Sequence, residues 1–573
     1  MKENMKITKS PRTFVAENLV IDSWESIQNY FEELANRTTN SKEEYVKWLH
    51  DKSELEAVLE EDAAWRYIKM TIDTRDEKLS NAYTFFVTKI QPQLAPFEDK
   101  LNKKLVDSPY FEALDKEEAY RIYFRSVKTA LELFREENIP LEAELNEKSQ
   151  LFGSISAAQS IEHNGETLTM QKAASLLKET DEELRRTIFE KMSTRRRKDI
   201  DSLDGLFTEL IEKRHQVAIN AGFDNFRDYK FLALGRFDYT KEDCFNFHKA
   251  IKSQIVPLVK EIQLAKLKTL GKEKFKPWDS EVDPQGKQPL KPFETGKQLL
   301  TGTIAMFDKI DSYFGDCLRT MDEMGHLDLD SKEGKSPGGY NYPLYEIGVP
   351  FIFMNSVGAQ RDLVTMVHEG GHAVHSFLSR DLELTGFKNV PSEVAELASM
   401  SMEMLTMELW NEFYSDNDNF NRAKREQLES ILKILPWIAQ IDEFQHWVYS
   451  NPTHTVSERH AKWSEISKEY GTGLTDWTGF EDMQATAWQR QLHLFEVPFY
   501  YIEYGIAQLG ALGVWKNSQE NFPKAIEDYK NALRLGYTAT IPEIYKVAGI
   551  SFDFTENYLK ELASFVQAEL KKI

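Results

Sequence analysis

His368 and His372 stand four residues apart in the pentapeptide His368-Glu369-Gly370-Gly371-His372, and two imidazoles at this spacing around a Glu form a zinc-hydrolase signature. Positions i and i+4 of a helix lie one above the other, so both rings can reach one metal ion. Zinc held at about 2.0–2.1 Å by two nitrogens needs a third protein ligand and an open fourth position for water, and Glu369 points towards that water as general base. The chemistry implied is amide hydrolysis. The type of the third ligand separates classes of zinc hydrolase. The metzincin pattern needs a further His ten residues after the first, but position 378 is Leu, which excludes that class. His375 falls a turn beyond His372 and reads as a supporting or core histidine rather than a ligand.

The elements that must position these residues are legible on both sides of the motif. Upstream, Pro350-Phe-Ile-Phe-Met-Asn355 is a short apolar, β-branched and aromatic run closed by Ser356-Val-Gly358, which predicts a strand. From Arg361 the pattern becomes Leu363, Val364, Val367, Val374, Phe377 and Leu378, the stripe of an amphipathic helix with the motif in its middle. Gly370 and Gly371 each cost that helix roughly 1 kcal/mol against Ala. Either the close approach of a backbone or of substrate, or a tight helix–helix crossing, accounts for them. Downstream, Asn389-Val-Pro391-Ser-Glu393 predicts a helix start. On the helix that follows, Glu396 and Glu403 are seven apart and share a face with Met400 and Met407. A carboxylate on an apolar face needs a partner. A metal for Glu396 and the N–H of a ligand imidazole for Glu403 supply one each. Glu393, a turn earlier, is the alternative ligand.

With these residues in view, the chain resembles the thimet-oligopeptidase and oligoendopeptidase F group of zinc peptidases. The resemblance rests on His368-Glu369-x-x-His372, on Ala395-Glu396-Leu-Ala-Ser with Glu403 seven further on, and on His493-Leu-Phe-Glu-Val-Pro498-Phe-Tyr500-Tyr501-Ile-Glu-Tyr504-Gly505, whose core looks most like the oligoendopeptidase F branch. It extends with specific motifs from about Leu206 to the C-terminus. The resemblance implies that Tyr504 stabilises the oxyanion and that His493 and Tyr501 bind the substrate backbone. Tyr O–H and imidazole N–H are suitable donors for developing negative charge. Tyr504 shares a helical face with both Tyr500 and Tyr501; core packing is the plainer explanation of such an aromatic stripe.

The first two hundred residues read as successive amphipathic helices, Trp24–Leu34, Glu43–Leu49, Leu55–Met70, Lys78–Lys103 and Glu117–Glu137, with no chemistry of their own. Family likeness makes this block one wall of a deep channel over the active site. The run Lys276 to Pro292 predicts an ordered loop between helices. Ser336-Pro337-Gly338-Gly339-Tyr340-Asn341-Tyr342 is either a wall of the substrate site or an ordinary turn.

Composition bounds the rest. The 573 residues carry 71 Lys+Arg against 93 Asp+Glu, a net charge of −22, which argues against nucleic acid or an anionic membrane as partner. Cys244 and Cys317 are the two cysteines and give no disulfide framework, which suits a reducing compartment. The polar N-terminus, Met1 to Ser10, lacks the apolar core of a signal peptide, and no apolar run is long enough to span a bilayer, so a cytoplasmic location is expected.

The expectation is therefore a mostly α-helical, two-lobed metallopeptidase of the zincin type. It has a gluzincin ligand set (His368, His372, Glu396), a small β-sheet near the active site and a deep substrate channel. Residues 1–200 form an N-terminal helical lobe and residues 201–573 the catalytic lobe. One zinc ion per chain serves an oligoendopeptidase acting on short peptides, with Glu369, His493, Tyr501 and Tyr504 in the reaction. Substrate would add as an extra strand beside Phe351–Asn355, expected at the sheet edge. A helical zinc carboxypeptidase or dipeptidase is the alternative enzyme, although the sequence reveals no cationic residue for a terminal carboxylate. A catalytically silent peptide-binding protein is the non-enzymatic alternative, and the intact Glu369 speaks against it.

Overall fold

Long stretches with few Gly and Pro and with apolar residues at helical period leave the chain little choice but helix, and helices dominate the computed structural model, which describes residues 5–573. Met1–Asn4, the start of the polar N-terminus, lie outside the described residues. The chain divides by contacts into two compact units, each assembled from separate segments. The first contains Met1–Glu132, Lys291–Asn421 and Ala507–Phe552; the second contains Leu133–Leu290, Arg422–Ile506 and Asp553–Ile573. This division follows a different line from one drawn at residue 200, which meets the chain at the first residue of the helix Ile200–Asn220. A boundary read along the sequence marks a single cut, and it carries no sign that distant segments pack together.

In the first unit, Glu25–Asn36 and Glu118–Leu133 form where the periodicity places helices. The runs Glu43–Leu49 and Leu55–Met70 are instead one continuous helix, Lys42–Ile72. The polar residues that separate them in sequence are buried with partners: Asp51 accepts from Arg37 and Lys47, Lys52 pairs with Glu56, and Ser53 meets Thr385. The expected Lys78–Lys103 helix is split into Glu77–Phe85 and Gln91–Val106 by a π-helical turn, Phe86–Ile90. The turn falls just before Pro92, whose ring and missing N–H break the regular ladder.

The sheet of this unit has three strands in the order Leu327–Asp330, Phe351–Ser356, Tyr340–Tyr342, the first pair parallel and the second antiparallel. Phe351–Ser356 is thus the central strand and not the edge strand expected from sequence. Its unbroken apolar run is what a strand buried on both faces requires, and residues 351–354 are at most 3% exposed. Tyr340–Tyr342, which the sequence offers as a wall of the substrate site or as an ordinary turn, forms a strand at an edge. Tyr340 stacks on Phe353 with ring centroids 4.9 Å apart, and Asn355 Nδ2 donates to the carbonyls of Ser336 and Gly338, fixing the loop before it.

Strand passes to helix at Gly358, which has φ +89°; a Cβ there would lie 2.7 Å from the Phe293 carbonyl oxygen. The helix Gln360–Ser379 follows, its first turn capped by Asp362, which accepts from the N–H groups of Val357 and Ala359. Leu363, Val367, Val374 and Phe377 are buried, so the motif sits in mid-helix as the stripe predicts. This helix packs against Ser392–Thr406. A Cβ on Gly371 would lie 2.6 Å from Ser399 Cα and 2.7 Å from the Ala398 carbonyl oxygen, and one on Gly370 would lie 2.7 Å from the Phe307 ring. At Gly371 the crossing of two helix backbones is the reason for glycine.

The second unit is likewise helical, apart from a small hairpin, Ser160–His163 with Glu166–Thr169. Asn164-Gly165 between Ile161 and Leu168 is a hairpin signal in the sequence, which the helical reading of the first two hundred residues passes over. Phe152, Phe207, Trp488 and Phe495 form an aromatic core, with Phe152 and Phe495 stacked at 4.4 Å. Lys276 to Pro292 is an irregular loop anchored by Asp279, which pairs with Arg185 and Lys272.

The backbone crossing at Gly371 can be tested directly. Overpacking against backbone costs about 1–3 kcal/mol, more than the roughly 1 kcal/mol that Ala gains over Gly in a helix. Gly371→Ala should therefore lower stability. Gly205→Ala, at an exposed helical position with nothing within 4 Å of the added Cβ, should raise it by about 0.5–1 kcal/mol. Urea midpoints of the two variants measure both, and a Gly371→Ala chain as stable as the parent would remove the crossing as a constraint.

Candidate metal centre and tyrosine cluster

Two crossing helices bring three sequence-predicted residues to one point. His368 and His372 project from Gln360–Ser379 and Glu396 from Ser392–Thr406, and one donor atom from each lies within 4.8 Å of the other two. His368 Nε2 is 3.4 Å and His372 Nε2 3.8 Å from Glu396 Oε2. Glu393, the alternative on sequence grounds, is outside this group, although it is buried near the start of the same helix.

The remaining ring nitrogens have their own partners. His368 Nδ1 is 2.7 Å from Glu403 Oε1, and His372 is hydrogen-bonded at the Ala395 backbone. Each imidazole therefore turns Nε2 towards Glu396, the arrangement in which a metal ligand keeps its tautomer and orientation. Ser399 Oγ donates to Glu396 Oε2 at 3.1 Å, so that carboxylate is oriented from its own helix. Two imidazole nitrogens and one carboxylate oxygen form a donor set of the kind that borderline divalent metals take. The side chains of His368 and His372 remain 21% and 19% exposed, so the group is open on one side, as a catalytic rather than a closed structural site needs.

The electrostatics follow from burial between like and unlike charges. Burial acts to lower the pKa of His368, but the carboxylates of Glu396 and Glu403 outweigh it and hold the ring well above the usual histidine range. Burial also acts against ionised Glu396, yet the two histidines bring it down to about 2. His372, where burial dominates, falls to about 4. The group as built favours positive charge between its carboxylates. Glu369 is 7% exposed, and burial beside Glu396 and Glu403 lifts its carboxyl to about 7. Its backbone carbonyl accepts from Asn341 Nδ2 at 3.2 Å, which ties the motif helix to the edge strand. His375 lies outside the group, 4% exposed and pushed down to about 3 by burial, as befits a neutral core histidine.

His493, Tyr500, Tyr501 and Tyr504 belong to the second unit, where they form one cluster. The His493 ring lies 6.0, 4.8 and 5.8 Å from those of Tyr500, Tyr501 and Tyr504, and Tyr504 meets Tyr500 at 5.4 Å and Tyr501 at 5.6 Å. Tyr504 is thus common to both tyrosine pairs, although Tyr500 and Tyr501 lie in the turn before the helix Ile502–Glu520 and not on a helical face with it, where the spacing places them. Gln491 Nε2 is 2.7 Å from His493 Nδ1. Two buried arginines hold this segment. Arg214 donates to Tyr449 and to the carbonyls of Leu494 and Phe495, and Arg236 pairs with Glu503 at 2.9 Å and donates to the Phe499 carbonyl. Phe499 is a non-glycine residue at φ +67°, just before Tyr500, and Gln445 Oε1 accepts its N–H at 2.6 Å. Such backbone costs about 1–3 kcal/mol and persists only where the surroundings over-determine it. Sequence reasoning found neither arginine nor Gln445, because a buried Arg distant in the chain carries no local pattern. Asn341 lies in the Ser336 to Tyr342 segment and Asn355 in the neighbouring strand, and neither was singled out by sequence.

Comparison with known proteins finds relatives of this chain by sequence and by fold. The chain is 21% identical over 483 residues to an oligoendopeptidase F homolog of Borreliella burgdorferi strain B31, covering 80% of this chain and 76% of that protein. Its fold matches PZ peptidase A solved with an inhibitor, with TM-score 0.89 and 27% identity over 96% of this chain and 97% of that one. It also matches a crystal structure classed as an oligoendopeptidase F, with TM-score 0.90 and 26% identity over 98% and 99%. The profile of the peptidase M3 N-terminal domain matches residues 14–134, and that of peptidase family M3 matches residues 175–564, more than half of the chain. This chain is a metalloendopeptidase and belongs to peptidase family M3.

Proposed function

We propose that this chain is a zinc-dependent oligoendopeptidase that hydrolyses internal bonds of short peptides, with a single catalytic zinc ion held by His368, His372 and Glu396. The observation that carries the reading is the convergence of those three donors, with Glu403 and the Ala395 backbone turning the imidazoles to meet them. Zinc bound there supplies Lewis-acid polarisation of an attacking water and of the scissile carbonyl. Glu369, between the two histidines on the same helix, takes a proton from the attacking water and returns it to the leaving amine. Glu403 keeps His368 oriented and its Nε2 basic.

Substrate backbone adds to the edge strand Tyr340–Tyr342, where main-chain hydrogen bonds give affinity without reading side chains. Asn341 on that strand also holds the carbonyl of Glu369. Tyr504 donates to the negative charge that develops on the carbonyl oxygen, and His493 and Tyr501 bind the substrate backbone. These three roles come from the resemblance of the His493–Tyr504 segment and are supported by the packing of its tyrosine rings around one imidazole. A cytoplasmic site of action is supported by two buried cysteines outside any disulfide and by the absence, among the described residues, of a helix long and apolar enough to cross a membrane.

Replacing Glu396 by Gln should strip most of the catalytic zinc, because a neutral amide is a poor zinc ligand. Glu403→Gln should weaken zinc affinity by about 10–100-fold through His368. Competitive chelator titration measures both, and parent-like affinity in Glu396→Gln would place the third ligand elsewhere.

Glu369→Gln should retain zinc and peptide binding while losing turnover by about 10²–10⁴-fold, the range of a general base. Near-parental hydrolysis of a fluorogenic peptide by that variant would contradict the assigned proton transfer.

A donor to the developing oxyanion acts more strongly in the transition state than in the ground state, so its loss lowers kcat more than it raises KM. Tyr504→Phe should cost about 2.7–4 kcal/mol of barrier with zinc content intact. Tyr500→Phe and Tyr501→Phe serve as positional controls; a large loss at one of them and silence at Tyr504 moves the donor to that residue.

A further inference from the structure

A second group of metal-binding character lies in the second unit. The helix Lys241–Ala250 carries Cys244 and His248 four residues apart, and the later part of the helix Asn417–Ser450 carries Asp442 and His446 four residues apart. Each pair therefore presents both side chains on one face. Cys244, Asp442 and His446 offer a sulfur, a carboxylate oxygen and a ring nitrogen within 4.8 Å of one another. His248 Nε2 is 2.8 Å and His446 Nε2 3.2 Å from Asp442 Oδ2. All four side chains are at most 4% exposed.

Hydrogen bonding alone leaves this arrangement incomplete. Asp442 Oδ1 and His446 Nδ1 are buried without a hydrogen-bond partner among the described residues, and a buried polar atom left unpaired bears the full cost of losing water.

We propose that Cys244, His248, Asp442 and His446 form a structural zinc site. One sulfur, one imidazole nitrogen and one carboxylate oxygen converge, and His248, beside Asp442 Oδ2, would complete the set of four that structural zinc takes in tetrahedral geometry. Binding releases the proton of the Cys244 thiol, since the thiolate is the ligand. An open pocket lined by Phe245, His248, Lys249, Lys252, Ser253 and Glu443 lies on the His248 side. The site clamps two helices beneath the tyrosine-bearing segment: the His446 ring packs edge-on against Phe499 at 5.4 Å, and Gln445, the preceding residue, holds the Phe499 N–H.

Cobalt(II) distinguishes this site from the first, because only this one contains sulfur. Full-length protein stripped of zinc and loaded with cobalt(II) should show a near-ultraviolet thiolate-to-cobalt charge-transfer band. The band should persist in a His368→Ala, His372→Ala double variant. Cys244→Ser should lose the band and one equivalent of bound metal per chain. A cobalt spectrum of the parent without a thiolate band overturns the proposal, and that measurement stands even where Cys244→Ser folds poorly. A band and metal content unchanged in Cys244→Ser overturn it as well.

Discussion

The separation between two helix backbones at Gly371 governs the first unit's chemistry. With Ser399 Cα placed where a side chain on residue 371 would have to go, the helix Ser392–Thr406 lies close enough for Glu396 to reach both histidines and for Glu403 to reach His368 from behind. A helix ordinarily excludes a Gly-Gly pair from its interior for entropic reasons. Here that intrinsic cost is offset by bringing two carboxylates and two imidazoles into one group. The ring of Phe307 packed over Gly370 fills the remaining space on the same side.

Electrostatics then does the rest. A buried carboxylate is tolerated only when paired or hydrogen-bonded, and Glu396 meets His368, His372 and Ser399. Glu369 is the carboxylate of this region that burial and its acidic neighbours push towards the neutral form, which sets it apart from Glu396 on the facing helix. Carboxylates driven apart in proton affinity by their surroundings divide naturally into a ligand and a proton carrier. In the second unit, strain plays the comparable part. Phe499 is held in a left-handed conformation by Arg236, Glu503 and Gln445, so the direction in which Tyr500 and Tyr501 leave the backbone is set by buried charge.

Much of this was legible in the sequence for physical reasons. Helix periodicity exposed the motif helix and the seven-residue spacing of Glu396 and Glu403, because a side-chain pattern on one face survives folding unchanged. The strand Phe351–Ser356 was also visible, but its place in the sheet was not: an apolar run records burial on both faces, and the neighbour on either side is a matter of topology. The merger of two expected helices into Lys42–Ile72 was hidden because Asp51, Lys52 and Ser53 look like a solvent-exposed break until Arg37 and Thr385 arrive from elsewhere in the chain and Glu56, one turn on, pairs with Lys52. The same holds for Arg214 and Arg236. Partners far apart in sequence leave no trace in a single chain, and these are the contacts that aim the residues the motifs name.

The central claim is that peptide hydrolysis depends on zinc at the His368, His372 and Glu396 group. Its most direct test is turnover of an internally quenched peptide by chelator-treated protein during stepwise return of zinc, with bound zinc quantified at each step. Loss of turnover on chelation and its recovery as zinc returns are the predicted results. Full turnover by protein that holds no zinc would contradict the account.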